Sequence, residues 1–358
     1  MAERTNKPRL IMVLGAGASV HAGIPSTKDV TNRIGAIKDN ATIQEVVRIL
    51  QQHEKDGFNF ESVMAALEDL QEYEYSKRCN GRLTRGTLSA FTELASFNNK
   101  SGGFFTTWHI LINSIYKLFS ENCTTPSENL KSFFDLMEEH FELTVLTLNY
   151  DDLIDHTGPW FDGFQKREDT DDYCSFNACQ FVRRVTVEPK VLLHLHGSVR
   201  FGYSSQSSLD IVKYASVEKG FDSIKGIKAG LVRAAPIISG HQKERWLQRY
   251  TIPLGYYYNA FVNAAVSTPL WVIAGYGAND LHVNTWVLES MRIHKEEARV
   301  IIIDQSESAA FQCNNYLSGA NTIGCPRVRF LCGSETGNFP PSSDKVGEII
   351  NFLKGESN

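Results

Sequence analysis

The sequence predicts an α/β fold, a doubly wound parallel sheet with an inserted helical module. Three observations carry this expectation. Short, mostly apolar runs recur at Leu10–Leu14, 143–148, Leu270–Ala274 and Arg299–Asp304. They are too short for helices and suit strands covered on both faces. Segments with helical periodicity alternate with them, as in a parallel sheet with crossover helices. The first run also leads straight into Gly15-Ala16-Gly17-Ala18-Ser19, a strand followed by a glycine turn and the start of a helix. Gly15 and Gly17 allow backbone N–H groups to approach a phosphate, and a helix over 18–22 would turn its positive dipole end towards the anion. The full GxGxxG pattern is absent, because Val20 stands at its last position.

Taken in order, 23–27 (Gly-Ile-Pro-Ser-Thr) is a loop with a helix start near Ser26 or Thr27. From there to about His140 the pattern is helical. Ile43, Val46, Val47 and Leu50 keep helical spacing, as do Val63, Ala66, Leu67 and Leu70, and later Leu130, Phe133, Phe134 and Met137. Asn80-Gly81 and the polar run at 98–103 read as turns. The expected organisation is one domain over residues 1–358, with a helical insertion over 27–140 between its first two core strands. The sheet resumes at 143–148, which ends in Asn149-Tyr150-Asp151-Asp152. Residues 161–188 are polar and aromatic-rich and read as loops with short elements. A third strand is expected over 190–198. Residues 203–235 show no clear pattern, and 236–240 reads as a short strand. A helix over 256–265 precedes the strand at 270–274, which Gly275-Tyr276-Gly277 closes. A helix over 281–294, the strand ending at Asp304 and a last helix over 343–353 complete the chain. No internal repeat is present.

The chain of 358 residues has 42% apolar and 22% charged residues and a net charge of −5. That mild acidity, without long Lys/Arg runs, gives no electrostatic basis for direct nucleic-acid binding. No apolar stretch approaches the ~18 residues of a membrane span, and the first residues lack the apolar core of a signal peptide. The expectation is a cytoplasmic protein without a membrane partner. Seven scattered cysteines fit a reducing compartment, and no CxxC pair exists to form a zinc ribbon. No metal ligands are assigned.

In an open parallel sheet, ligands bind beyond the carboxyl ends of the strands. Polar residues collect at those ends: 15–19, 149–152, 196–198, 275–280 and Asp304. Asp151 or Asp152 could cap a helix beginning at Leu153, and capping is the favoured role of Asp280 before Leu281. His194 and His196 share one strand face. His194 is expected to be a hydrogen-bonded core residue. His196, at the strand end before a glycine, is the candidate for chemistry. Asn149, an amide at a buried strand end beside the glycine turn, has little reason to be there for packing alone.

These residues also carry a resemblance. Gly15-Ala16-Gly17-Ala18-Ser19 with Gly23-Ile24-Pro25, Thr147-Leu148-Asn149-Tyr150-Asp151, Leu195-His196-Gly197-Ser198, Gly275-Tyr276-Gly277 and the late Asp304 resemble, in order and spacing, the motif set of the Sir2 (sirtuin) superfamily. The resemblance implies a Rossmann-like site for NAD⁺ as substrate. Asn149 would hold the nicotinamide ribose and the attacking water, Asp151 the carboxamide, and His196 would act as base on a ribose hydroxyl. Gly15, Ala16, Gly17 and Ser19 would hold the pyrophosphate. Ile24, Pro25, Thr147, Gly197, Ser198, Gly275, Gly277 and Asp304 would complete the cofactor contacts. Protein-deacylating sirtuins carry zinc cysteines between the His-Gly and later glycine motifs, whereas residues 197–275 contain no cysteine. Ser26-Thr27-Lys28 and Gly277 also replace the family's Asp-Phe-Arg and serine. The chain is thus more similar to the zinc-free Sir2-like proteins of prokaryotic antiphage defence, which break down NAD⁺.

The chemistry expected is hydrolysis of the nicotinamide–ribose bond to ADP-ribose and nicotinamide. It passes through an oxocarbenium-like state and needs no strong general acid, because the leaving group departs neutral. An NAD-dependent protein deacylase and a non-catalytic NAD or ADP-ribose sensor are the alternatives. The resemblance further implies a homo-oligomer and a companion protein of ATPase or Argonaute type as sensor or regulator. The helical module is the expected contact surface; its aromatics Phe104, Phe105, Trp108, Tyr116 and Phe119 exceed what one short helical layer needs, although core packing is the favoured role of most of them.

Overall fold

The computed structural model describes residues 7–53, 58–78, 104–121, 128–168, 172–204, 210–225, 236–238, 243, 247, 252–318, 327–333 and 337–356. The expected turns near 80 and 98–103, the unplaced stretch 226–235 and residues 239–240 lie outside them. Among the described residues Cys174, Cys179, Cys313 and Cys332 are free thiols. No described helix is long and apolar enough to cross a membrane.

Six parallel strands form the central sheet: β1 (Arg9–Leu14), β2 (Glu142–Thr147), β5 (Lys190–His194), β8 (Leu270–Ala274), β9 (Arg299–Asp304) and β10 (Arg327–Cys332). Their order is β10-β9-β8-β1-β2-β5. The chain therefore winds outward from β1 through β2 to β5, then returns to the other side of β1. The doubly wound expectation is met. Leu10 to Leu14 are buried throughout because both faces of β1 are covered. Ile11 and Val13 join one core with Leu146, Ile273 and Ile302; Leu10, Met12 and Leu14 join the other with Val145, Val272 and Ile303.

The first of these cores holds the helices α1 (Thr27–Gly35), α2 (Ala41–His53), α3 (Phe60–Arg78) and α4 (Phe104–Glu121). Trp108, Tyr116 and Phe119 are buried in it, and the Tyr116 hydroxyl donates to the carbonyls of Ser198 and Phe201. These three rings are core, the role favoured for most of the set; the side chains of Phe104 and Phe105 lie outside the described residues. The opposite core is filled by α5 (Glu128–His140), through Leu130, Phe133, Phe134 and Met137, and by the last helix (Ser343–Lys354).

Three departures from expectation have local causes. Residues 18–22 are not an α-helix but belong to two short 3-10 turns, Ala16–Ala18 and Val20–Ala22, closed by Gly23 in the left-handed region. Pro25 then prevents continuation, and α1 starts afresh with Ser26 and Asp29 in a reciprocal capping box. A second, antiparallel sheet lies within 161–214, where β3 (Phe164–Lys166), β4 (Tyr173–Phe176), β6 (Phe201–Tyr203) and β7 (Ile211–Tyr214) pair in the order β3-β4-β7-β6. Strands of three or four residues are too short to display a period. The strand β10 was also not expected. It pairs only with β9 at the sheet edge, so its charged side chains stay partly exposed and the apolar run is broken.

Candidate active site

The turn of winding direction lies between β1 and β8, and the carboxyl ends of the inner strands are level there. Leu14 is in register with both Thr147 and Ala274. Beyond that edge opens a cavity of ≈920 Å³, where a doubly wound sheet binds its ligands. Gly15, Ala16, Ser19, Ile24, Pro25, Asn149, Asp151, His196, Gly275, Gly277 and Asp304 all line it. Gly17, Thr147, Gly197 and Ser198, assigned to cofactor contact by the resemblance, are not among its lining residues. Thr147 instead accepts from the Asn149 N–H, and the Ser198 hydroxyl from the Arg200 N–H. Gly197 has φ +89, and a Cβ there would sit 2.0 Å from the Pro236 carbonyl oxygen.

Asn149 is fixed by both hydrogens of its amide. Its Nδ2 donates to the Gly15 carbonyl and to the Ser19 hydroxyl, each at 2.9 Å. Since the Gly15 carbonyl can only accept, the orientation of the amide is settled, and Oδ1 remains as an acceptor. Asp151 follows. Its Oδ1 accepts from the Leu153 N–H at 3.1 Å, so the expected turn-capping bond exists, before a 3-10 turn (Ile154–Thr157). Its Oδ2 is buried with no hydrogen-bond partner among the described residues. Burial raises this carboxyl to about 6, against the lowering effect of the Leu153 N–H and the Ser19 hydroxyl.

The two histidines separate as expected. His194 is fully buried, with Nε2 2.9 Å from Asp155, in a charge cluster with Lys213 and Arg200. His196 lies beyond the end of β5 on the cavity wall. Its Nε2 is 3.2 Å from Nε2 of His282 and 3.8 Å from Oδ1 of Asp280. Burial, aided by the charge of Lys243, pushes the His196 imidazole well below its ordinary value. His282 is pushed down to about 4, chiefly by burial. Burial alone would raise Asp280, but the surrounding His196, Lys243 and His282 hold it at about 2.

Asp280 is where the capping expectation fails. It occupies the N-cap position of α6 (Leu281–His294), yet its side chain makes no capping bond. Oδ1 meets Lys243 Nζ at 2.7 Å, and the same ammonium reaches Glu61 Oε1 of α3 at 2.7 Å. The segment leading to Asp280 is braced from behind. The Tyr276 hydroxyl donates to Asn284 Oδ1, and Asn284 Nδ2 donates to the Ala278 carbonyl, holding Ala278 at φ +55.

His282, Lys243 and Glu61 were missed from the sequence. His282 carried a usable signal, an ionisable side chain in the first helical turn after a strand-end glycine turn. Lys243 and Glu61 carried none. Glu61 belongs to a helix distant in sequence that reaches the cavity rim beside Phe60, which packs edge-on against Tyr150.

The glycines serve the backbone more than the ligand. Gly15, Gly17, Ala18 and Ser19 each donate their N–H to a backbone carbonyl: Ala274, Gly275, Gly15 and Ala16 respectively. The expected phosphate cradle is therefore largely occupied by the protein's own carbonyls. A Cβ on Gly17 would lie 2.8 Å from the Gly275 Cα, and one on Gly15 2.4 Å from the Gly275 oxygen. The two glycine turns pack against each other. Asp304 reaches the cavity half-buried, with Oδ1 accepting from the Ser306 N–H at 2.8 Å; burial raises its carboxyl.

No family model and no curated protein matches the chain. Among solved structures, it is similar to one from work on the mechanism and regulation of Sir2 enzymes, at 12% identity and a TM-score of 0.42, covering 98% of this chain and 93% of that one. It is likewise similar to one from work on sirtuin substrate affinity, at 12% identity and a TM-score of 0.40, covering 96% of this chain and 93% of that one.

Proposed function

We propose that this chain is an NAD⁺ glycohydrolase, releasing nicotinamide and ADP-ribose. The observation that carries the reading is the Asn149 amide. Both of its hydrogens are committed to Gly15 and Ser19, so Oδ1 is an acceptor for a water or a ribose hydroxyl. Asp151 supports it with a buried carboxylate oxygen that lacks a partner and suits a carboxamide N–H. His196 supplies a base on the same cavity wall, its Nε2 exchanging the His282 contact for a ribose hydroxyl.

The reaction breaks the bond between ribose C1′ and the nicotinamide ring nitrogen. The bonding pair leaves with the ring, which becomes neutral, and positive charge spreads over C1′ and the ring oxygen. His196 accepts a hydrogen bond from a ribose hydroxyl, and the more electron-rich oxygen steadies that charge. The water held by Asn149 adds to C1′ and releases one proton to solvent. A positioned base of this kind contributes about 10²–10⁴-fold.

The enzyme is further proposed to act in the cytoplasm as an NAD-depleting effector of antiphage defence. Residues 1–358 form its single Sir2-like domain and 27–140 the helical insertion. Free NAD⁺ hydrolysis would harm the host, so control by homo-oligomerisation and by a companion sensor protein of ATPase or Argonaute type, docking on the helical insertion, is part of the proposal. The purified chain, incubated with NAD⁺ with and without an acetylated peptide, should release nicotinamide in both cases. Release only with the peptide would move it to the deacylases, and binding of NAD⁺ without release to the sensors. Light scattering should find an oligomer; a monomer with full turnover and no companion would overturn the regulatory part.

A further inference from the structure

His196, Asp280 and His282 present one donor atom each, all within 4.8 Å of one another. Two imidazole Nε2 atoms face each other at 3.2 Å. Only one hydrogen fits between them. A zinc-class ion with bonds of about 2.0–2.1 Å in tetrahedral geometry sets its donor nitrogens roughly 3.3 Å apart. The pair is therefore already spaced as two ligands of one ion.

Two further observations point the same way. Asp280 leaves its capping position unused and turns its carboxylate towards the imidazoles, with Oδ1 3.8 Å from His196 Nε2. All three residues line the cavity, which leaves the remaining position of the ion to water or substrate. Lys243 opposes a cation here, but it is also held by Glu61 and keeps a partner when Asp280 turns to a metal. Two imidazoles and one carboxylate suit zinc, cobalt(II) or nickel(II) and not magnesium or calcium.

We propose that His196, His282 and Asp280 bind one divalent transition-metal ion of the zinc class, which withholds His196 from turnover while it is bound. Binding displaces the one proton held between the two Nε2 atoms to the far nitrogen of the ring that carries it, and the lone pairs of both Nε2 atoms go to the ion. The effect on turnover rests on the reading of His196 as the base; the binding does not.

The test uses the whole chain, freed of metal with a chelator and titrated with cobalt(II). One equivalent should give the visible absorption of a low-coordinate ion, which zinc then abolishes by displacement. X-ray absorption at the metal edge should find two imidazole nitrogens. His282→Gln and Asp280→Asn should each weaken binding at least about 10-fold. Lys243→Gln, which removes the competing cation, should tighten it. Fewer than two imidazoles at the ion, or unchanged affinity in His282→Gln, would overturn the site even if a variant were poorly folded, because the first measurement needs only the unaltered chain. Zinc should inhibit nicotinamide release, and chelator should restore it. Full turnover with the ion bound would overturn the withholding role alone. If the chain releases no nicotinamide at all, the spectroscopy still decides the site.

Discussion

The side-chain amide of Asn149 donates to the hydroxyl of Ser19 at 2.9 Å, joining residues 130 positions apart. The bond ties the end of β2 to the turn after β1, and the second amide hydrogen meets the Gly15 carbonyl in the same turn. One side chain thus both holds the two strand ends together and has its orientation fixed by them. Function and local structure can be pulled apart here by mutation.

Asn149→Ala should cut nicotinamide release by about 10²–10⁴-fold, since the acceptor for water is lost. Ser19→Ala removes one of two orienting bonds and should cost less, about tenfold. Release in real time, with a thermal melt of each variant, checks both. An equal loss in the two would mean that Asn149 matters only through Ser19.

His194 and His196 should fail differently. His194 is fully buried against Asp155 among Lys213 and Arg200. His194→Ala leaves a cavity and an Asp155 with one partner fewer, a cost of about 1–3 kcal/mol. It should therefore lower the melting temperature while the folded fraction keeps most of its turnover. His196→Ala should do the reverse. Comparable losses of turnover in both would put the base on the wrong histidine.

The sheet and its ligand edge were legible because buried strands write themselves as apolar runs, and polar residues after Leu14, Leu148 and Ala274 stand out against them. The strand–turn motif was legible, but its use was not. Gly17 reads as room for phosphate, whereas it makes room for Gly275, some 260 residues away. Contacts of that range leave no periodic trace. The same holds for Glu61 and Lys243, whose meeting with Asp280 depends on how α3 crosses the cavity rim. Asp280 misled for a different reason. Its position before a helix is the ordinary one for a cap, and a stronger cationic partner took the side chain instead.

Gly275→Ala and Gly23→Ala should separate packing from backbone preference. Both glycines have positive φ, +59 and +76. At Gly23 nothing lies within 4 Å of a new Cβ, so only the left-handed backbone cost of about 1–2 kcal/mol applies. At Gly275 the Cβ would sit 2.1 Å from the Ala18 nitrogen, and the two turns must part. Chemical denaturation should show a clearly larger loss for Gly275→Ala, accompanied by loss of turnover.

Asp304 predicts cofactor choice. It lines the cavity at the end of β9 with one carboxylate oxygen held by Ser306. A carboxylate there accepts from an adenosine ribose hydroxyl and repels a 2′-phosphate. NAD⁺ should be hydrolysed in preference to NADP⁺, and Asp304→Asn should narrow the ratio. Equal rates on both dinucleotides for the unaltered chain would remove Asp304 from the ribose site.

Asp151 sets a pH dependence of opposite sign for stability and for turnover. Burial raises its carboxyl to about 6, well above the range of an unfolded aspartate. The folded chain therefore binds this proton more tightly than the unfolded one. The stabilisation is fully present below about pH 4, the unfolded value, and is lost as pH rises through about 6. Above that, the buried carboxylate, with only Oδ1 partnered by Leu153, costs the fold on the order of 3 kcal/mol. Turnover should run the other way, because the ionised form keeps Oδ2 as an acceptor for a carboxamide N–H, so release should fall as pH drops below about 6. Asp151→Asn removes both effects. Near pH 7.5 it should melt at a higher temperature than the unaltered chain, and near pH 4 the difference should vanish. It should also turn over more slowly and lose the acidic limb of its pH profile. An unchanged acidic limb in Asp151→Asn would assign that titration to another group, and a lower melting temperature at pH 7.5 would show that the buried carboxylate is satisfied.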